Sequence, residues 1–169
     1  MTLDTTIGGA ASDSYATLAD YQAYAAAQGW TLADTDAANE VNLRRAALVL
    51  DTRYTFRGTK QTREQAREWP RATDYGFSND YIFDPYPIII GEIPARIKTA
   101  QMELAHVIQQ GTDPLATIEA STTKDMIKVG PITLDEETVP TGTPRLVAVE
   151  GLLRPYLKAG AGQVALVRG

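Results

Sequence analysis

The sequence predicts a mainly α-helical protein, a small helical bundle with one short β-hairpin, a long aromatic and proline-rich loop, and flexible N- and C-terminal arms. Three observations predict this class. Apolar residues recur with helical period at Leu43, Ala46, Ala47, Leu50 and Tyr54, and again at Ile97, Ala100, Leu104, Val107 and Ile108. Ile127, Val129, Ile132 and Leu134 instead alternate with polar residues across Gly130-Pro131, which reads as paired extended segments at about 124–137. The two ends, "MTLDTTIGGAASD" and "AGAGQVALVRG", are small, glycine-containing and aperiodic.

Composition bounds the rest. The chain has 169 residues, 44% hydrophobic and 22% charged, which suits one soluble domain with a single core. No run approaches the roughly 20 apolar residues of a membrane helix, and the start lacks a signal-peptide pattern. Cysteine is absent, which removes disulfides, thiolate nucleophiles and sulfur-ligated zinc. The net charge of −5 is opposite to the basic excess usual in duplex-DNA binders.

In chain order, residues 1–13 read as a flexible arm, 14–158 as a single helical domain and 159–169 as a C-terminal extension. Ser14 or Thr17 caps a helix to Gln28, with Leu18, Tyr21 and Ala25 inward and Gly29 as its stop. The stripe from Leu43 to Tyr54 is capped near Asp34–Asp36 and ends by Gly58. Thr62 and Gln65 form a capping-box pattern that predicts a short helix over 63–68, halted by Pro70. No helical period survives from Pro70 to Ile93; the aromatics Tyr75, Phe77, Tyr81, Phe83 and Tyr86 are there to pack a loop centred on 74–91. Pro94 opens the second striped helix and Gly111 closes it. Pro144 opens a last helix with Leu146, Val149, Leu153 and Tyr156 on one side, shortened by Pro155.

Within "EWPR", Trp69 is expected to plug the core, Pro70 to turn the chain, and Arg71 to meet an acidic group or a carbonyl, together anchoring the long loop. Catalytic chemistry finds no constellation. His106 is the single histidine and lies one residue off an apolar stripe, where a general base would need a nucleophile or an orienting carboxylate. "DTDAANE" lacks the glycine and spacing of a calcium loop, and "IGGAAS" lacks the lysine of a phosphate loop. No catalytic, cofactor or metal site is therefore expected. Asp135, Glu136 and Glu137 form an acidic run, more ordinary as a solvated face than as acid–base machinery. Arg53, Arg57, Lys60, Arg63, Arg67 and Arg71 make one basic cluster; Arg63 and Arg67 could contact nucleic acid, although Glu64 and Glu68 interleave with them.

"SYATLADYQAYAAAQGW", "EWPR", "IPARIKTAQMELA", "KVGPI" and "LLRPYL" occur in this order, and the ordered set resembles a family of tailed-bacteriophage and prophage proteins. That family is labelled DnaT-like single-stranded-DNA-binding and is similar to head–tail connector (adaptor, head-completion) proteins. The resemblance implies a non-enzymatic virion subunit of the neck, assembled in the bacterial host cytoplasm as a dodecameric ring under the portal. It implies as partners the portal protein, a neck or tail-completion protein, and double-stranded DNA passing through the channel without specific binding, with no membrane. On that reading Gln163, Val164, Leu166, Val167 and Arg168 dock the extension on the portal or a neighbour. Lys128, Val129, Asp135, Glu136 and Glu137 of the hairpin line the lumen or an intersubunit seam. The family label supplies the alternative, a single-stranded-DNA-binding replication accessory.

Overall fold

The computed structural model describes residues 2–72, 85–114, 123–129, 132–138 and 146–158. The chain divides into two compact units, a helical one built from the residues up to Thr112 and from Leu146 onward, and a hairpin one over Asp113–Arg145. The helical unit contains α1 (Leu18–Gln28), α2 (Asp36–Arg53), α3 (Ala95–Gln109) and α4 (Val147–Leu153), the last continuing into a 3₁₀ turn at Arg154–Tyr156. It also holds two two-residue strands, β1 (Thr59–Lys60) and β2 (Arg71–Ala72), paired antiparallel. The hairpin unit contains β3 (Thr123–Val129) and β4 (Ile132–Thr138). The protein is thus mainly helical with one short antiparallel hairpin, and the β1–β2 ladder is an addition that the sequence pattern did not reveal.

Local chemistry accounts for the helix ends. Thr17 Oγ1 accepts from the Asp20 amide at 3.0 Å while the Asp20 carboxylate accepts from the Thr17 amide at 3.2 Å, a reciprocal capping box. Gly29, at φ 70°, takes the left-handed conformation that turns the chain out of α1, and Trp30 N donates back to Ala25 O at 2.9 Å. Thr35 caps α2 through the Ala38 amide. Helix α2 stops at Arg53, short of Gly58, because Tyr54 is already extended and the chain beyond it pairs with the C-terminal segment. Lys158 N donates to Thr55 O and Arg57 N to Tyr156 O, each at 2.9 Å. Gly58 serves elsewhere: at φ 74° a Cβ there would lie 2.2 Å from the Ala72 carbonyl oxygen, so β1 and β2 can close only on a glycine.

The short helix expected over 63–68 does not form. Thr62 N does bond Gln65 Oε1 at 3.0 Å, but Gln65 Nε2 is taken by the carbonyls of Arg67 and Pro70, and Ala66 N donates to Gly9 O at 3.1 Å. Tertiary partners have replaced the helical ones. The same bond bears on residues 2–13, expected as a flexible arm. Asp13 N donates to Asp4 O at 2.9 Å, Asp4 N to Asp13 Oδ1 at 2.8 Å, and Arg44 grips Asp13 Oδ2 at 2.6 Å, while Leu3 packs on the core.

Helix α3 packs against both α2 and α4, and α1 against α2. The expected stripe residues Tyr21, Ala25, Leu43, Ala46, Ala47, Leu50, Ile97, Ala100, Leu104, Leu146, Val149, Leu153 and Tyr156 are buried; Leu18, Tyr54, Val107 and Ile108 are half-buried. Gln101 is fully buried on the inward side of α3, a polar amide among the apolar stripe residues. Its Oε1 accepts from the amides of Tyr15 (3.0 Å) and Ala16 (2.8 Å), and its Nε2 donates to Ser14 Oγ (2.7 Å) and Leu43 O (2.8 Å). One side chain so ties the segment before α1 to α2 and α3. Gln101→Leu is expected to cost about 3 kcal/mol or more in urea unfolding, since each buried group left unpaired costs about 1–3 kcal/mol; an unchanged midpoint would dispose of this role.

In the hairpin, Val129 opposes Ile132 and the pairing runs out to Thr123 opposite Thr138. The acidic run lies within β4: Asp135, Glu136 and Glu137 oppose Met126, Asp125 and Lys124, and Lys128 opposes Thr133.

Candidate nucleic-acid interface

Trp69 is 1% exposed and meets Phe56 and Tyr156 edge-on, each with ring centroids 5.6 Å apart. Pro70 follows through a cis peptide bond and is buried. Arg71, 7% exposed, donates to the carbonyls of Arg57 (2.9 Å), Phe56 (3.3 Å), Glu68 (3.3 Å) and Gly58, and to Glu68 Oε2 at 2.7 Å. A guanidinium presents its donors in a fixed planar fork, and here that fork holds the 56–58 turn against the 68–71 turn.

The six-residue basic cluster is mostly consumed inside the fold. Arg53 lies 4.0 Å from Glu150, Lys60 3.1 Å from Glu68, and Arg71 is committed as above. Arg57 donates to the Tyr86 carbonyl and sits 5.9 Å from the Tyr156 ring centroid. Arg67 bonds Asp51 Oδ2 and Ser12 O, each at 3.2 Å. Arg63 is exposed and makes no ion pair with a described residue. Arg63 and Arg67, expected as possible nucleic-acid contacts, do not share a helical face, because no helix carries them.

Behind Arg67 is a polar group within the core wall. The Tyr15 hydroxyl donates to Asp51 Oδ1 and accepts from Glu68 N at 3.1 Å. Burial, with the Asp51 charge second, pushes the Tyr15 phenol far above its ordinary value, so it stays protonated. Burial also raises the Asp51 carboxyl above its ordinary 3.8, outweighing the hydrogen bond from Tyr15 and the charge of Arg67.

The aromatic row that begins at Trp69 continues toward solvent. Tyr156 meets Tyr86 at 6.2 Å between centroids, and the Arg96 guanidinium lies 4.7 Å from the Tyr86 centroid with Nη2 3.4 Å from its hydroxyl. Arg154 and Lys158 flank Tyr156 in the chain and are exposed. Sequence reasoning missed Tyr86 and Arg96 as a pair; their ten-residue separation across a prolyl helix start carries no periodic signal.

His106 is half-buried on α3 and stacks flat on Trp30, centroids 4.0 Å apart and planes 5° apart. Among the described residues no three His, Cys, Asp or Glu side chains cluster to hold a metal, and no helix is long and apolar enough to cross a membrane. Gln163, Val164, Leu166, Val167 and Arg168 lie outside the described residues, as does most of the loop 74–91. For Lys128, Val129, Asp135, Glu136 and Glu137 the backbone register alone is described.

A family model described as "Putative DnaT-like ssDNA binding protein" matches residues 1–169. The chain belongs to this family. No curated protein and no solved structure matches it. In this DnaT-like family member, then, the cluster with the densest basic sequence serves mainly as internal bracing, and the arginine–tyrosine contacts at 86, 96 and 156 lie elsewhere on the helical unit.

Trp69→Ala is expected to cost about 3–5 kcal/mol, as large core truncations do, and an unshifted melting curve would refute its anchoring role. Asp51 yields a pH signature. The folded chain holds its proton more tightly than the unfolded chain, so its stabilisation is complete below 3.8 and fades as pH rises through the folded value. Urea unfolding from below 3.8 to neutrality should therefore show wild type losing stability relative to Asp51→Asn; a gap that stays constant would contradict the raised carboxyl.

Proposed function

We propose that this chain acts by binding and not by catalysis, and that its ligand is single-stranded nucleic acid in the manner of a replication accessory. The observation that carries this reading is the full-length match to a family described by that activity. The net charge of −5 makes whole-surface attraction to phosphate unfavourable, so binding would be confined to a local cationic and aromatic surface. A labelled oligonucleotide titrated at two salt concentrations tests it. Affinity should fall with salt by about 0.7 log units per log unit of salt for each phosphate contacted. Absent or salt-independent binding would end this reading.

A specific observation favours a second reading, the head–tail adaptor subunit of a phage neck. Five of the six clustered cations engage partners within the fold, and an acidic protein contacts DNA weakly, which suits a channel past which DNA must slide. In that role the chain forms a ring under the portal, joins a neck or tail-completion protein, and resides in the virion. Negative-stain images of the chain mixed with purified portal protein discriminate: added ring density supports the adaptor, and its absence together with oligonucleotide binding supports the first reading.

A further inference from the structure

We propose that the single strand lies along the surface where Tyr86, Arg96 and the 154–158 segment meet, a base stacking at Tyr86 and phosphates meeting Arg96, Arg154 and Lys158. This deepens the nucleic-acid reading and rests on it.

Position is the first argument. Tyr86 is half-buried, and its ring meets Tyr156 in an edge-type contact, with Tyr156 itself abutting the buried Trp69. A ring held by the core loses little freedom when a base stacks on it. Arg57 is a positioning residue here, holding the Tyr86 carbonyl while its backbone amide bonds Tyr156 O.

Charge is the second. Arg96 has neutral partners, the ring and hydroxyl of Tyr86, and forms no ion pair with a described residue. Arg154 and Lys158 likewise form none and are exposed. The opposing carboxylate on the 85–96 stretch is Glu92, exposed beside the turn at Gly91. Around 60–71, by contrast, Lys60, Arg67 and Arg71 already hold carboxylates. Interleaved arginine and tyrosine is the chemistry that takes single strands without reading sequence, since every base has a face to stack and every phosphate a charge to meet.

The test is fluorescence anisotropy of a labelled oligothymidylate with the full chain across a salt series. Tyr86→Leu should weaken binding about tenfold, the loss of one stacked base. Arg154→Ala combined with Lys158→Ala should flatten the salt slope by about 1.4, two single-strand phosphate contacts. Both residues of that double variant are exposed, so it reports on binding even if Tyr86→Leu unfolds. Arg63→Ala should change neither quantity. If the wild type binds and the double variant binds with the same slope, or if Arg63→Ala is the variant that weakens binding, this surface is wrong while the nucleic-acid reading stands. If the wild type shows no salt-dependent binding, both fall together.

Discussion

The guanidinium of Arg71, inserted among the carbonyls of Phe56, Arg57, Gly58 and Glu68, is the contact on which the organisation of the helical unit depends. Four carbonyls facing one buried space would repel one another and lack donors; a planar cation satisfies them at once. Lysine could not span them, because its three donors radiate from a point. With Arg71 in place, the turn at 56–58 lies under β2, and Arg57 is left facing Tyr86 and Tyr156.

Two further polar groups within the core are satisfied in the same all-or-nothing way. Gln101 uses both ends of its amide, and Asp51 stands between Tyr15 and Arg67. Such groups are costly to bury and become specific once every lone pair and proton has a partner. They also explain why the N-terminal segment is not loose. Ser14, Tyr15 and Ala16 are bonded to Gln101, and Asp13 to Arg44, so the approach to α1 is fixed before its capping box begins.

Internal bracing and ligand binding compete for the same side chains. An arginine already holding a buried carboxylate would have to give up that hydrogen-bonded pair to reach a phosphate, and charge-assisted bonds of this kind are worth about 1.5–3 kcal/mol each. A dense run of basic residues is therefore a poor guide to an anion site until their partners are known. Cations resting on aromatic rings are different, because the ring leaves the charge in place while fixing its position.

Helix periodicity, capping residues and the alternation about Gly130-Pro131 determined the helices and the hairpin by themselves, since each depends on neighbours within a few residues. "EWPR" also announced a buried tryptophan and an arginine seeking carbonyls or carboxylates. Tertiary structure decided the rest. The helix expected at 63–68 was lost to Gly9, Arg67 and Pro70, and α2 ended at Arg53 because residues 55–57 found partners at 156–158. Gln101 fell on the inner side of α3 where an apolar residue would be expected, and Tyr86 met Arg96 and Tyr156 across the fold. These outcomes turn on bonds between residues far apart in the chain, and local pattern carries no information about which distant donor will claim a given carbonyl.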